Sequence, residues 1–291
     1  MKEFIKYNYD LDFENVCSLN ELLYFDCNDK FYIISIFNRD EEEFEKMINF
    51  LINNNVKFLN VVINKFGSIT SEFDRKKYIL LESELDNQII ELPIHSALIF
   101  SAKNYWNTIW EERVAQLKKQ KEELKLNKNI NYILNYYIGL IEICIYNYNL
   151  IRKKFPEGVY SSVQHNRMSY PLYSFVYYNP INYLIDYHFR DFAEYLKMLF
   201  FHSEISLDYV LSVIDKLQLD DFSVNMFIVR LLYPTYFLDK YDVNKNSDVD
   251  VSDFSEIIKK SSQYENFILN LIAALSQKYN ILVVVPFIFQ R

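Results

Sequence analysis

The sequence predicts an α+β protein, with a small β-rich region over residues 1–92 and a larger helical region over residues 93–291. Three observations predict it. Short β-branched and aromatic runs separated by turn residues fill the first ninety positions, as strands do. From Ser101 onward, apolar residues recur at helical spacing. With 291 residues, 51% of them apolar, the chain has the material to bury a core of that size.

Taken in order, Lys30 to Phe37 reads as a compact apolar strand, in a region expected to hold a sheet and one helix. That helix opens at Asp40-Glu41-Glu42-Glu43 and runs to about Leu51, its acidic first turn suited to the helix dipole. The runs Val56 to Phe66 and Lys77 to Leu81 flank a turn-rich stretch containing Gly67 and Asp74, as the arms of a hairpin would. A boundary is expected near Pro93. Beyond it, Ala102 to about Leu126 is an amphipathic, charged helix and Asn129 to Asn149 a more apolar one. Ile130 to Ile151 is long enough to span a bilayer, but Asn131, Asn135, Glu142 and Asn149 fall near one helical face, so it reads as a core helix. Tyr173 to Tyr178 and Ile181 to Tyr187 read as two strands joined by Asn179-Pro180, followed by a helix from Asp191 to Phe201. The remainder is mostly helical, and the β-branched run Ile281 to Phe289 reads as a buried strand.

Composition excludes several function classes. A net charge of −8 argues against a nucleic-acid binder, which would normally present a basic face. Cys17, Cys27 and Cys144 are odd in number and form no Cys-x-x-Cys pair, which speaks for a reducing cytoplasm and against a disulfide framework or thiolate zinc site. No secretory signal is readable at the N-terminus. Gly67, Gly139 and Gly158 are the three glycines, and their separation rules out a Walker A loop, a dinucleotide G-x-G-x-x-G and a G-x-S-x-G elbow. His95, His165, His188 and His202 make no zinc-protease spacing.

A β region with one helix, then helices, then a hairpin among them is the layout of protein-kinase-like phosphotransferases, although layout alone names no chemistry. Particular residues add to it: Phe66-Gly67-Ser68-Ile69-Thr70-Ser71-Glu72-Phe73-Asp74 with Tyr78-Ile79-Leu80-Leu81, Trp110-Glu111-Glu112-Arg113 with Gln116-Leu117, and Tyr136-Tyr137-Ile138-Gly139-Leu140. His165-Asn166-Arg167-Met168, Arg190-Asp191-Phe192-Ala193-Glu194-Tyr195 and Arg230-Leu231-Leu232-Tyr233-Pro234 follow. In this order they resemble the kinase-like spore-coat proteins of the CotS/YutH type, within the aminoglycoside and choline phosphotransferase superfamily. The resemblance implies a two-lobed protein-kinase-like fold, with a small β-rich N-lobe and a larger helical C-lobe.

Phosphoryl transfer needs a clamp on the phosphates, carboxylates on a metal and an Asp that positions the nucleophile. Aligned by resemblance on His165, the catalytic Asp position holds Arg167 and the metal-binding Asn position holds Leu172. A guanidinium accepts no proton and repels Mg²⁺, and leucine offers no oxygen. The second metal carboxylate of the superfamily matches Asp186, which survives. The phosphate-binding Lys is missing from Tyr32 to Phe37. The degenerate positions are therefore His165, Asn166 and Arg167, with Asp186 the metal candidate, and Arg167 is expected to neutralise Asp186 where a metal would have done so.

Other features have structural readings. Lone histidines such as His165 and His188 are usually packed and hydrogen-bonded, and Arg190-Asp191 reads as the start of a helix with Asp191 as its N-cap. Trp106 and Trp110, four apart, read as packing anchors. Asp242, Asn244, Asn246, Asp248 and Asp253 fall near the spacing of a calcium loop, but Ser247 stands where the turn requires Gly and Asp253 where Glu is usual; the reading is a polar surface insertion. The function expected is that of a catalytically degenerate, pseudokinase-type protein, cytoplasmic or on the forming spore coat, acting through protein partners such as coat or assembly components, with no nucleic acid and no membrane span. No cofactor is expected. The alternative is an active small-molecule phosphotransferase with a nonstandard site around His165 and Asp186, using ATP and Mg²⁺.

Overall fold

The side-chain alternation of two strands organises the N-terminal sheet. In the computed structural model, β3 (Lys30–Ile36) sends Tyr32 and Ile34 to one face and Ile33 to the other, while β6 (Lys76–Ser83) sends Leu80 to the first and Ile79 and Leu81 to the second. The residues described are all except 20–21, 84–87, 91–97, 102–105, 124–127, 157–158, 169, 204, 245–249 and 286–291, so the boundary expected at Pro93 lies outside them. The chain forms two compact units, residues 1–97 with 165–184 and residues 98–164 with 185–291.

In the first unit the sheet runs β1 (Cys17–Leu19), β2 (Leu22–Cys27), β3, β6, β4 (Asn60–Val62), with β5 (Thr70–Phe73) pairing the first half of β6 and β4 the second. Two tight hairpins set its register, at Asn28-Asp29 and Asp74-Arg75, where both central residues of each take positive φ as the twist of the strands favours. The arm opposing β6 across the second turn is β5, not the expected Val56 to Phe66 run, because Asn64 interrupts that run: its side-chain oxygen accepts from the N–H groups of Phe66 and Ser68 and curls the backbone. Both faces of the sheet are covered. On one, Phe4 and Ile5 of α1 (Lys2–Tyr9) pack with Phe25, Tyr32, Ile34 and Leu80. This second helix of the N-terminal region was concealed in the sequence by alternating charged and aromatic residues. On the other face, Phe44 of α2 (Glu41–Asn53), started by the Asp40 side chain on the Glu43 N–H, packs with Ile33, Ile79, Leu81 and Phe175.

The second unit holds α3 (Trp106–Glu123), α4 (Lys128–Lys154), α6 (Arg190–His202), α7 (Leu207–Leu217), α8 (Asp221–Leu232), α9 (Thr235–Asn244) and α10 (Ser255–Leu275), with β7 (Leu98–Ser101), β8 (Val159–His165) as far as Gln164 and β9 (Tyr183–Tyr187) from Ile185 on, strands that lie in the order β7, β8, β9. Helix α8 is its axis: every residue from Phe222 to Leu232 is buried, and it packs against α4 and α6. Among the described residues no helix is long and apolar enough to cross a membrane.

Of the expected pair of strands, the second is observed as β9, from Tyr183, while the first is absent. Ser174–Tyr177 is a short helix, α5, and Pro180–Asn182 a 3-10 turn begun by the Asn179 side chain on the Ile181 N–H, so the aromatic run that looked β-forming is curled by tertiary packing of Phe175. At the expected C-terminal strand, residues 281–285 form no strand pair among the described residues. Asn225 accepts from the Leu282 N–H at 2.6 Å, and Asn147 accepts from the Val284 N–H and donates to its carbonyl, so two buried asparagine side chains replace the ladder. Pro286 to Phe289 of the expected strand lie outside the described residues.

Candidate functional site

Helix α6 carries a carboxylate or cation at each of four inward positions, Arg190, Asp191, Glu194 and Lys197, and all four are buried. Spacing of three and four residues places Arg190, Glu194 and Lys197 along one stripe of the helix. The stripe is completed by Asp186 at the end of β9 and Arg230 on α8, giving three carboxylates and three cations in the interior of the second unit. Such charges are tolerated inside a protein only when paired and hydrogen-bonded.

The pairing is dense. Arg230 Nε donates to Glu194 Oε1 at 2.5 Å, Lys197 Nζ to the same oxygen at 2.8 Å, and Thr235 Oγ1 to Oε2 at 2.6 Å. Lys197 spends its other donors on the carbonyls of Arg230 and Tyr233, which closes the C-terminus of α8. The Arg230 guanidinium lies 5.1 Å from the Trp106 ring and 5.4 Å from that of Tyr233. Trp106 in turn donates Nε1–H to both oxygens of Asp186 at 3.0 Å, the Tyr187 N–H reaches Asp186 Oδ1 at 2.7 Å, and Arg190 Nε sits 3.2 Å from Oδ2.

Burial works to raise the Glu194 pKa, but Arg230, Lys197 and Arg190 overcome it and bring the carboxyl down to about 2. For Lys197, burial prevails over Glu194 and lowers the ammonium to about 8. Asp186 moves the other way: burial raises its pKa, and Arg190 and Arg230 offset this only in part. Glu194 is thus the firmly ionised centre, and Asp186 the carboxylate whose charge is less favoured.

As a ligand for a divalent ion Asp186 does not fit this setting. Its lone pairs face two N–H donors and a guanidinium, so an ion would have to displace Arg190 and compete with Trp106 and the Tyr187 amide. The neutralising role expected of Arg167 is filled by Arg190, one turn along the chain from Asp186. Arg167 is exposed, in the first unit. Asp191 is not the N-cap of α6: Phe189 takes that position without a side-chain bond, and Asp191 is a fully buried first-turn residue whose N–H donates to Gln164 Oε1 at 2.7 Å while its carboxylate lies 3.6 Å from Arg190. The helix start is tied down by Gln164 instead.

His165, Asn166 and Leu172 also belong to the first unit. His165 is buried, stacked on Tyr177 at 4.5 Å and edge-on to Tyr183, with Nε2 against the Tyr177 carbonyl. Asn166 is exposed, its N–H donating to the Asn182 carbonyl at 2.7 Å. Leu172 is buried, and its carbonyl accepts from Ile90 N. In the second unit, Asp242 pairs with Arg113 at 2.8 Å, and Asp253 forms a capping box with Asp250 at a 3-10 turn. Asn244 ends α9, while Asn246 and Asp248 lie outside the described residues. Among the described residues no group of three or more His, Cys, Asp or Glu side chains is arranged to hold a metal.

Gln164, Glu194, Lys197 and Arg230 are cluster residues to which the sequence assigned no site role, and Trp106, expected only as a packing anchor, also bonds Asp186. Lys197 and Arg230 had a signal: each interrupts an apolar run, Leu196-Lys197-Met198-Leu199 and Val229-Arg230-Leu231-Leu232, where a cation has to be either partnered or excluded.

A family profile described as "Spore coat putative kinase YutH" matches residues 2–271. Comparison with curated protein sequences finds no match. Among solved structures, the chain is similar to an aminoglycoside phosphotransferase from Alicyclobacillus acidocaldarius subsp. acidocaldarius DSM 446, with a TM-score of 0.57 and 11% identity over 93% of both chains. It is also similar to the spectinomycin phosphotransferase APH(9)-Ia, in complex with ADP and spectinomycin, with a TM-score of 0.56 and 11% identity over 95% of this chain and 97% of that one. The AMP-bound form of that enzyme gives 0.53 at 9% identity, over 94% and 97%. At these identities the likeness is one of fold: the α+β, kinase-like architecture expected from the sequence is the one observed.

Proposed function

This chain belongs to the YutH family of spore coat kinase-like proteins, and we propose that it is a pseudokinase: a kinase-fold protein that transfers no phosphoryl group and acts through its surface, as a component or assembly factor of the coat. One observation carries the first part. Asp186, the surviving candidate for a metal carboxylate, is held by Trp106, the Tyr187 amide and Arg190 in a charge-balanced interior, so its role is to tie β9 to α3 and α6. The positions aligned by the resemblance agree: a cation at Arg167 and an apolar, buried Leu172 stand where phosphoryl transfer needs an acceptor and an oxygen ligand. ADP and AMP are held by the spectinomycin phosphotransferase neighbour, and in this reading the present chain retains that fold without the chemistry. Association with coat proteins rests on the family.

The test is thermal. A ligand that binds only the folded state raises stability by mass action, so ATP with Mg²⁺ is expected to leave the melting temperature unchanged. A saturable, Mg²⁺-dependent rise of several degrees, together with transfer of phosphate to a small-molecule acceptor, would overturn the proposal in favour of an active phosphotransferase.

A further inference from the structure

A cluster of large apolar side chains that a rigid backbone holds in water points to a partner that covers it. Between β4 and β5 one buried side chain braces such a loop. Asn64 accepts from the N–H groups of Phe66 and Ser68 and donates to the Thr70 carbonyl and to Ser71 Oγ, at 2.9–3.0 Å. The Lys65 N–H adds a bond to the Asn8 carbonyl of α1 at 2.8 Å, and Gly67 makes the turn at a φ of +83°. The loop displays Ile63 and Phe66, and α1 sets Tyr7 beside Phe66 with ring centroids 5.7 Å apart; each of the three is 62% exposed. Lys65 Nζ lies 4.2 Å from the Tyr7 ring centroid. This is an apolar knob with a cation at its side. Residues 1–10 and 63–77, which build the knob and its surroundings, carry six Lys and Arg against four Asp and Glu, in a chain of net charge −8.

A surface of the opposite kind opens in the second unit. A cleft of about 520 Å³ is lined by Leu199 of α6 and by Ile205, Ser206 and Tyr209 at the start of α7. Its size is within the roughly 300–1,000 Å³ in which proteins seat ligands. The Tyr209 wall is 38% exposed, and Asp208 beside it is exposed too. The stretch is acidic: residues 204–221 hold Glu204, Asp208, Asp215, Asp220 and Asp221 against Lys216 alone. Lys260, which reaches the end of α6, is bonded to the Phe201 carbonyl.

We propose that the knob of one copy of this chain seats in the cleft of a second copy, Phe66 and Ile63 meeting Leu199, Ile205 and Tyr209 while the lysines of the knob face the acidic start of α7. Charge selects this occupant, because the cation-rich face of the chain meets an acidic face of the same chain. The contact is heterologous: a copy gives its knob to one neighbour and its cleft to another, as a component that builds a coat must. The proposal deepens the coat-component reading and rests on it.

The test is sedimentation velocity of the full chain across a concentration series, without nucleotide. Wild type is expected to form species above the monomer, weakened by salt. Phe66→Ser removes the knob, and Tyr209→Lys fills the cleft with a cation. Each is expected to raise the dissociation constant at least about thirtyfold, the loss of a central aromatic anchor. An equimolar mixture of the two is expected to regain a dimer, because one variant keeps an intact cleft and the other an intact knob. If either variant does not melt cooperatively, Ile63→Ser or Ile205→Lys takes its place in the mixture. Wild type that stays monomeric throughout overturns the proposal, as does either variant that assembles like wild type or a mixture that stays monomeric. Phosphate transfer by wild type would instead sink the pseudokinase reading, an outcome that sedimentation does not touch.

Discussion

Two stretches of the chain lie next to each other in sequence and are secured by different physics. Residues 165–184 are held in the first unit by aromatic stacking and bonds to backbone carbonyls: His165 on Tyr177, Phe175 on the sheet, Arg39 on Ile181 and Tyr183. Residues 186–197 are held in the second unit by ions, each carboxylate facing a buried cation. Neutral contacts fail gradually when one is removed, because each is worth about 1 kcal/mol net. A balanced ionic cluster fails abruptly, because deleting one member strands another in a low-dielectric interior.

The sharpest way to break this comparison is Arg230→Ala, which leaves Glu194 with Lys197 and Thr235 and takes the cation away from Trp106. It is expected to cost roughly 3–5 kcal/mol in urea unfolding, the range for breaking one side of a buried pair. A loss under about 1 kcal/mol, the level of a surface pair, would show that the cluster is not cooperative.

Next in size is an acid effect. Glu194 titrates at about 2 in the fold against an ordinary 4.5, so between those values the unfolded chain binds more protons than the folded one. Its contribution is complete above about 4.5 and drains away as pH falls toward 2. Stability measured against pH is expected to fall less steeply across that interval in Glu194→Gln than in wild type. Parallel curves would mean that another carboxylate dominates the acid limb.

The smallest effect belongs to the neutral stretch. Tyr183→Phe deletes the hydroxyl that donates to the Lys57 carbonyl at 3.0 Å and is expected to cost about 0.5–1.5 kcal/mol, with little dependence on salt. A loss as large as that of Arg230→Ala would erase the contrast between the two stretches.

What the sequence determined by itself was set by local chemistry. Asp40 with three glutamates announces the start of α2, the apolar run from Lys30 announces β3, and three scattered glycines exclude every glycine-dependent phosphate loop. The resemblance, carried in part by His165-Asn166-Arg167-Met168 and Arg190-Asp191, pointed to the right fold. Tertiary structure alone decided the rest. Which cation neutralises Asp186 depends on where β9 delivers it, and Arg190 and Trp106 reach it because one follows within a helical turn while the other arrives from a helix 80 residues earlier. Tyr173 to Tyr178 has the composition of a strand, yet Phe175 gains more by burial against Ile33 and Leu81 than a solvent-facing strand would give it, so the backbone bends into α5, with the Ser174 N–H donating to the Gln88 carbonyl and the Leu172 carbonyl accepting from the Ile90 N–H. Propensity acts over a few residues, whereas pairing a buried charge or covering an apolar face requires a partner from elsewhere in the chain, and only the folded molecule supplies that partner.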